Sequence, residues 1–187
     1  MENEDLEELL EFEDLEFEDL EFEDLELLED ENTEAEELKT IDRYFDQCFK
    51  DNPTNVKFSE YNLDQSIQGE QVPTIALVNY IYKKALQENV KEIRVIPLRS
   101  EILIRFNQGS GFYKPFEKQT LRDRQTFCVI ESIANIIRLN AGMEMLARNK
   151  PVVGNMLLIY FGKRKQVVIH TLPSTYGTSL SLSLKDG

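Results

Sequence analysis

The sequence predicts an α+β domain, with a helix layer on an antiparallel sheet, preceded by an acidic disordered tail. Three observations support this prediction. Residues Pro151–Leu184 contain three β-branched or alternating apolar segments separated by turn residues. Two upstream segments with helical spacing enclose a hairpin, which gives the order helix, three strands, helix, three strands. The acidic residues are concentrated at the N-terminus, whereas the rest of the chain is mildly basic.

A linking helix is predicted from Glu36 to Lys50, because apolar residues recur at helical spacing and Asp51-Asn52-Pro53 supplies a stop. We expect this helix to pack on the domain or on a partner. The following segment, Asn55–Gln71, shows little periodicity and is predicted to be a linker. The apolar positions of the helix are Leu38, Ile41, Phe45, Cys48 and Phe49.

The domain is predicted to open with a helix at Val72-Pro73, where proline fits the first turn. A hairpin follows, with Gly109-Ser110-Gly111 as the turn before Phe112-Tyr113. A second long helix is predicted from Thr120 to Ala141, ending at a left-handed Gly142. The predicted buried positions are Ile75, Val78, Tyr82, Ala85, Leu86, Ile93, Val95, Leu103, Phe106, Phe127, Ile130, Ile133, Ala134 and Ile137.

The last three strands are predicted from Met156–Phe161, from Val167–Ile169 and from leucines at period two, at positions 180, 182 and 184. The turns between them are assigned to Gly162–Lys165 and Thr171–Gly177. The basic turn could contact an acidic surface on a partner or simply be solvated. Its residues Lys163, Arg164 and Lys165 are therefore candidate partner-binding residues.

The N-terminal tail carries most of the negative charge. Residues 1–38 contain 21 Asp or Glu and no Lys or Arg, while the remaining 21 basic and 14 acidic residues leave +7. Repulsion among the tail charges predicts an extended, disordered segment. The tail also repeats the sequence EFEDL, and a period of five residues matches neither a helix face nor strand alternation.

Acidic-hydrophobic repeats of this kind indicate either a solubilising charge run or a segment that docks its apolar side chains on a partner. The regular interleaving favours docking. The candidate docking residues are Phe12, Leu15, Phe17, Leu20, Phe22 and Leu25.

Enzyme chemistry is not supported by the sequence. The single histidine, His170, has no identifiable acid partner and is predicted to be a turn histidine. Cys48 and Cys128 lack metal-ligand spacing, and Cys128 is predicted to pack in the core. No metal or cofactor is predicted. No apolar run reaches the length of a membrane span, and reduced cysteines favour a cytoplasmic location.

Several short motifs in order resemble one bacterial family. The first motif is the helix and strand of Pro73–Pro97. The others are Pro151-x-x-Gly154, Gly162-Lys163-Arg164 and the segment Thr171–Gly177. They are similar to the domain that precedes the ATPase core in type II secretion and type IV pilus assembly ATPases. The resemblance covers roughly Pro73–Leu184 and implies a PAS-like fold.

The resemblance also indicates which features of the family this sequence lacks. Family members hydrolyse ATP in a following domain with a GxxxxGK[ST] loop, and this sequence contains no such motif. Family arginines that would reach nucleotide correspond here to other residue types, and only Arg105 remains as a residual family-type arginine. Valine or asparagine cannot replace the bidentate, permanently charged guanidinium. We therefore expect a stand-alone copy that has lost its nucleotide role.

The sequence thus predicts three segments: an acidic tail at 1–38, a helix and linker at 39–71, and a secretion-ATPase N-terminal-like domain at 72–187. The predicted function is a non-catalytic accessory or regulator of a type IV pilus or type II secretion assembly motor. Its partner would be the assembly ATPase or an associated component. The alternative is a stand-alone PAS-like signal or ligand receptor. Nucleic-acid binding is disfavoured, because the tail would compete with phosphate, and the oligomeric state is left open.

Overall fold

The computed structural model describes residues 31–48, 58–65, 72–99, 101–116, 123–143 and 150–186. Residues Glu34–Gly187 form one compact unit. The helices are α1 (Glu31–Cys48), α2 (Pro73–Gln87) and α3 (Asp123–Asn140). The strands are β1 (Ser59–Asn62), β2 (Glu92–Pro97), β3 (Ile102–Asn107), β4 (Phe112–Tyr113), β5 (Val152–Tyr160), β6 (Lys163–Ser174) and β7 (Gly177–Asp186).

The described strands form one mixed sheet in the order β1-β5-β6-β7-β2-β3-β4. The predicted order of helix, three strands, helix and three strands is confirmed from α2 to β7. The α+β class is also confirmed, but the sheet is not purely antiparallel, because β1 pairs parallel to β5. Strand β1 lies inside the segment predicted to be a linker. Four residues are too few for a periodic signal, and pairing with β5 supplies the hydrogen bonds that define the strand.

One face of the sheet holds the main hydrophobic core. Helices α2 and α3 bury apolar stripes there against alternate residues of the strands, including Ile93 and Val95 of β2. The predicted core positions with described side chains are buried, except that Ile75 is only half-buried and Cys128 is exposed. The core includes Val78, Tyr82, Ala85, Leu86, Phe106, Ile130, Ile133, Ala134 and Ile137.

The opposite face of the sheet is covered by α1. Ile41 and Phe45 of α1 form a second cluster with Ile96 of β2 and Leu103 of β3. Because successive strand residues point to opposite faces, Ile96 faces away from the core that contains Val95. The prediction of a single helix layer is therefore wrong. The linking helix packs on the domain, which is one of the two alternatives expected for it. It begins at Glu31, so the prediction of disorder through residue 38 is wrong for the last residues of the tail.

Both predicted turns in the last three strands are wrong in length. Tyr160 already pairs with Lys163, so only Phe161 and Gly162 form the first turn. Both turn residues have positive φ, 46° and 72°, which suits the tight turn of a twisted hairpin. The second turn contains only residues 175 and 176, because Ser174 pairs with Gly177.

Two further predictions concern α3 and its surroundings. Gly142 ends the helix with φ of 61°, which confirms the predicted left-handed residue. Cys128 is exposed, so its prediction as a core residue is wrong. The core stripe of α3 contains Ile130, and a residue two positions earlier lies about 200° away around the helix.

Candidate functional site

Two arginines stand side by side on the α1-covered face of the sheet. In the β2–β3 ladder, Arg94 lies directly opposite Arg105. Ile93 and Val95 point into the main core, so strand alternation places Arg94 on the other face. The same row continues across β7 and β6, where Arg94 pairs with Ser181 and Ser181 with His170.

Carboxylates surround Arg94. Its Nη1 donates to Asp42 Oδ1 at 2.6 Å and its Nη2 donates to Asp46 Oδ1 at 2.5 Å, both on α1. Asp42 and Asp46 are four residues apart and therefore share one face of the helix. The Arg94 Nε donates to Glu92 Oε1 at 2.6 Å, on the same strand. Arg105 also donates to Asp42, so this carboxylate bridges the two guanidinium groups.

Aromatic rings complete the surroundings of the two guanidiniums. The Phe112 ring centroid lies 4.4 Å from the Arg94 Cζ and 4.9 Å from the Arg105 Cζ. Phe45 of α1 approaches Arg94 from another side, with its centroid 5.7 Å from Cζ. Cation–π attraction is strongest when the cation is removed from water. Arg94 is only 1% exposed, so these ring contacts act on a desolvated charge.

The electrostatic balance around Arg94 favours its charged guanidinium. Burial opposes the charged form of Arg94, but the hydrogen bonds that it donates to Glu92, Asp46 and Asp42 outweigh burial and raise its pKa above the usual value. The two guanidiniums face three carboxylates, which leaves a formal local charge of about −1. A guanidinium stays protonated in proteins, so the two arginines donate to the protein's own carboxylates and cannot act as general bases.

The structure brings the predicted Arg105 together with Arg94, which sequence reasoning did not select. The alternation in Glu92–Pro97 could have revealed it, because a basic residue between two core positions must face the opposite side. In this structure Arg105 donates to Asp42 of α1.

The predicted basic residues lie elsewhere, at the hairpin between β5 and β6. They start strand β6 and do not form the turn. Lys163 and Arg164 are exposed, whereas Lys165 is half-buried and bonded to Asp186. Strand β6 is three strand spacings from β3, which is roughly 14 Å. The hairpin residues and the arginine pair are therefore separate sites.

Phe161 is a second residue that sequence reasoning did not select. It is 77% exposed at the tip of the same hairpin, beside Lys163 and Arg164. Its backbone N–H donates to Asp64 Oδ2 at 2.9 Å, which holds the turn against the loop after β1. A bulky residue at positive φ is uncommon, and backbone strain of this type clusters at functional sites.

The remaining predictions concern His170, metal and membrane sites, and the acidic tail. His170 lies within strand β6 and not in a turn; it is 3% exposed, and burial lowers its pKa. Among the described residues, no cluster of three His, Cys, Asp or Glu side chains could hold a metal ion. No helix in the described ranges is both long and apolar enough to cross a bilayer. The tail candidates Phe12, Leu15, Phe17, Leu20, Phe22 and Leu25 lie outside the described residues.

The chain shows weak homology to secretion proteins. It is 25% identical over 117 residues to type II secretion system protein E of Klebsiella pneumoniae, covering 63% of this chain and 22% of that protein. It is 26% identical over 124 residues to type II secretion system protein E of Dickeya dadantii (strain 3937), covering 66% of this chain and 24% of that protein. The chain therefore spans less than a quarter of the length of these curated relatives.

Among solved structures, the Legionella pneumophila ATPase DotB matches with a TM-score of 0.39 and 12% identity. The match covers 73% of this chain and 31% of that chain. No protein-family model matches the chain.

Proposed function

We propose that this protein is a non-catalytic regulatory binding protein of a type II secretion or type IV pilus assembly motor. It acts at the cytoplasmic side and docks through its α+β domain, which we take to be PAS-like. The homology to type II secretion system protein E supports the secretion context. The partner is the assembly ATPase or a component bound to it.

One observation carries the non-catalytic role: the arginine pair is engaged by the protein's own carboxylates. Arg105, the residual family-type arginine, donates to Asp42 of α1, and Arg94 donates to Asp42, Asp46 and Glu92. Binding a nucleotide phosphate at this place requires these ion pairs to break first. Removing the carboxylate partners of a buried guanidinium is costly, so the arrangement opposes nucleotide binding.

The β5–β6 hairpin tip supplies a docking surface for this function. Phe161 presents an exposed aromatic ring next to the cationic Lys163 and Arg164. Aromatic and arginine side chains are enriched among residues that dominate binding energy at protein interfaces. An acidic surface on the motor, with an apolar recess for the ring, matches this combination.

Affinity capture with the full-length chain from a cell that contains the secretion machinery tests the proposal. We expect the assembly ATPase or its platform protein among the recovered proteins, identified and quantified by mass spectrometry. Lys163→Glu with Arg164→Glu should reduce recovery about tenfold, because the charge complementarity is reversed. Lys39→Glu with Arg43→Glu makes the same charge change at exposed positions of α1 and serves as the matched control.

The acidic tail is tested in the same experiment without shortening α1. Replacing Phe12, Phe17 and Phe22 by serine keeps the length and charge of the tail but removes its aromatic rings. Reduced recovery would support a docking role for the tail. Recovery of only unrelated proteins by the unmodified chain, or ATP turnover by the purified protein, would contradict the proposed function.

A further inference from the structure

The sheet face beneath α1 has two chemically distinct halves. One half is apolar, formed by Ile96 and Leu103. The other half is cationic, formed by Arg94 and Arg105 around the Phe112 ring. Among the described strand residues, Glu92 is the carboxylate that bonds directly to Arg94. Without α1, Arg94, Arg105 and Glu92 together carry a formal charge of +1 beside an apolar strip.

Helix α1 matches both halves. Its Ile41 and Phe45, 3% and 0% exposed, cover the apolar residues. Asp42 and Asp46 follow each of these apolar residues by one position and reach the arginines. The sequence Ile-Asp-x-x-Phe-Asp thus presents apolar and acidic side chains together on one helix side.

Additional contacts of α1 also use acidic side chains. Glu34 accepts from the backbone N–H of Arg99 at 3.2 Å, and Glu37 accepts from the backbone N–H of Thr175 at 2.9 Å. Both hydrogen bonds are exposed to solvent. The α1 cluster is separate from the main core held by α2 and α3. A helix attached by a small cluster and by charge pairs is expected to open at lower free energy than the core.

We infer that this face is a docking groove for an acidic amphipathic helix of a partner protein, and that α1 occupies the groove in the same chain until the partner displaces it. The groove recognises apolar residues at positions i and i+4, each followed by a carboxylate. Charge complementarity and the seating of α1 itself identify this occupant. The inference goes beyond the proposed function, because it holds whether or not the partner belongs to a secretion motor.

A labelled synthetic peptide with the sequence of Glu31–Cys48, carrying Cys48→Ser, serves as the partner helix. Binding to full-length protein is measured by fluorescence anisotropy. In the unmodified chain, α1 competes at an effective concentration on the order of millimolar, so the peptide should bind weakly. A release variant, Asp42→Asn with Phe45→Ala, weakens the resident helix and should bind the peptide at least about tenfold more tightly.

Two matched variants isolate the groove. Arg43→Ala with Gln47→Ala alters exposed positions of α1 and should leave peptide binding as in the unmodified chain. Adding Arg105→Gln to the release variant should weaken peptide binding about tenfold, because a charge-assisted hydrogen bond is lost. Equal peptide affinity in the unmodified chain and the release variant, or no effect of Arg105→Gln, would overturn the inference. Complete displacement of the peptide by low-millimolar inorganic phosphate would overturn it too, since the face would then be a simple anion site.

Hydrogen exchange supplies an independent readout. In the unmodified chain, α1 amides should exchange faster than amides of α2 and α3. In the release variant, α2 and α3 should keep their protection. If α1 exchanges only together with α2 and α3, or if the release variant loses protection there, α1 is part of the core and the inference is wrong.

Discussion

Among single residues, we expect substitution of Arg94 to cause the largest loss in the free energy of unfolding. It is 1% exposed and joins α1 to the sheet through Asp42, Asp46 and Glu92. Arg94→Met keeps much of the side-chain volume but leaves Asp46 and Glu92 without this cation, and Asp42 with Arg105 alone. We expect a loss of about 3 kcal/mol in the free energy of unfolding, measured by urea denaturation.

The exposed Arg43 on α1 is the control for this substitution, because surface changes usually alter stability by less than about 0.5 kcal/mol. A loss of similar size in Arg43→Met and Arg94→Met would show that general charge, and not the buried cluster, accounts for the effect.

The other residue-scale prediction concerns pH and His170. Burial lowers its pKa below the ordinary 6.5, so the folded protein binds this proton less readily than the unfolded chain. Stability should therefore fall as the pH decreases below about 6.5, until the lowered folded pKa is reached. His170→Gln should flatten the unfolding free energy between pH 7 and about 5.5. His170 is the single histidine of the chain, so an unchanged slope would mean that it does not titrate in this range.

At the scale of elements, the β5–β6 turn holds a phenylalanine in a left-handed backbone conformation that this residue type disfavours. Phe161 occupies φ of 46°, where asparagine or glycine is favoured, and it is followed by Gly162 at φ of 72°. Phe161→Asn creates the Asn-Gly pair typical of this turn. We expect the free energy of unfolding to rise by about 1 kcal/mol, because the left-handed conformation is easier for asparagine.

Gly162→Ala is the opposite change in the same turn. No atom lies within 4 Å of a Cβ built at Gly162, so its cost is conformational and not steric. Thermal or urea unfolding should show a loss of about 1 kcal/mol.

If Phe161→Asn destabilises the protein instead, the Phe161 ring contributes contacts to folding, such as its 4.4 Å centroid contact with Tyr160, that outweigh the strain.

At the scale of the whole molecule, charge distribution sets the expected partners. The net charge is −14, and among the basic residues Arg94, Arg105 and Lys165 are bonded to carboxylates of the protein. We expect no measurable binding of single-stranded DNA at 150 mM salt. Replacing the acidic residues of 1–30 by Asn and Gln should expose only weak binding, with a slope of log K against log salt near −1.4 for about two phosphate contacts.

Lys163→Glu with Arg164→Glu in that neutral-tail background should abolish the residual DNA binding, because these two exposed residues are the expected contacts. A salt slope steeper than about −3 would reveal a larger phosphate-binding surface than the described residues suggest.

The secondary structure of the domain could largely be predicted because burial imposes periodicity on the sequence. The stripe of α3 at Ile130, Ile133, Ala134 and Ile137, and the alternation of Leu180, Leu182 and Leu184, are direct records of one buried face. Strand β1 escaped prediction because a four-residue strand is defined by its neighbour β5 and not by its own pattern. The turn lengths could not be predicted either, because the pairing register of the strands sets them. A run of basic residues carries no information about that register.

The candidate site was only half predictable. Arg105 stood out through family resemblance, and Lys163 and Arg164 through charge. Arg94 and Phe161 did not, since a lone arginine in an apolar strand and an aromatic residue before a glycine have many ordinary explanations. Their significance depends on partners distant in sequence, such as Asp42 for Arg94 and Asp64 for Phe161.

The sequence by itself determined the α+β class, the order of elements from α2 to β7 and the separation of an acidic segment from a basic domain. Periodicity and charge are local properties, so they can be read along the chain. Only the tertiary structure decided that α1 lies on the second face of the sheet and neutralises two arginines there. That outcome depends on strand register and on contacts between residues 48 to 63 positions apart, which no local pattern records.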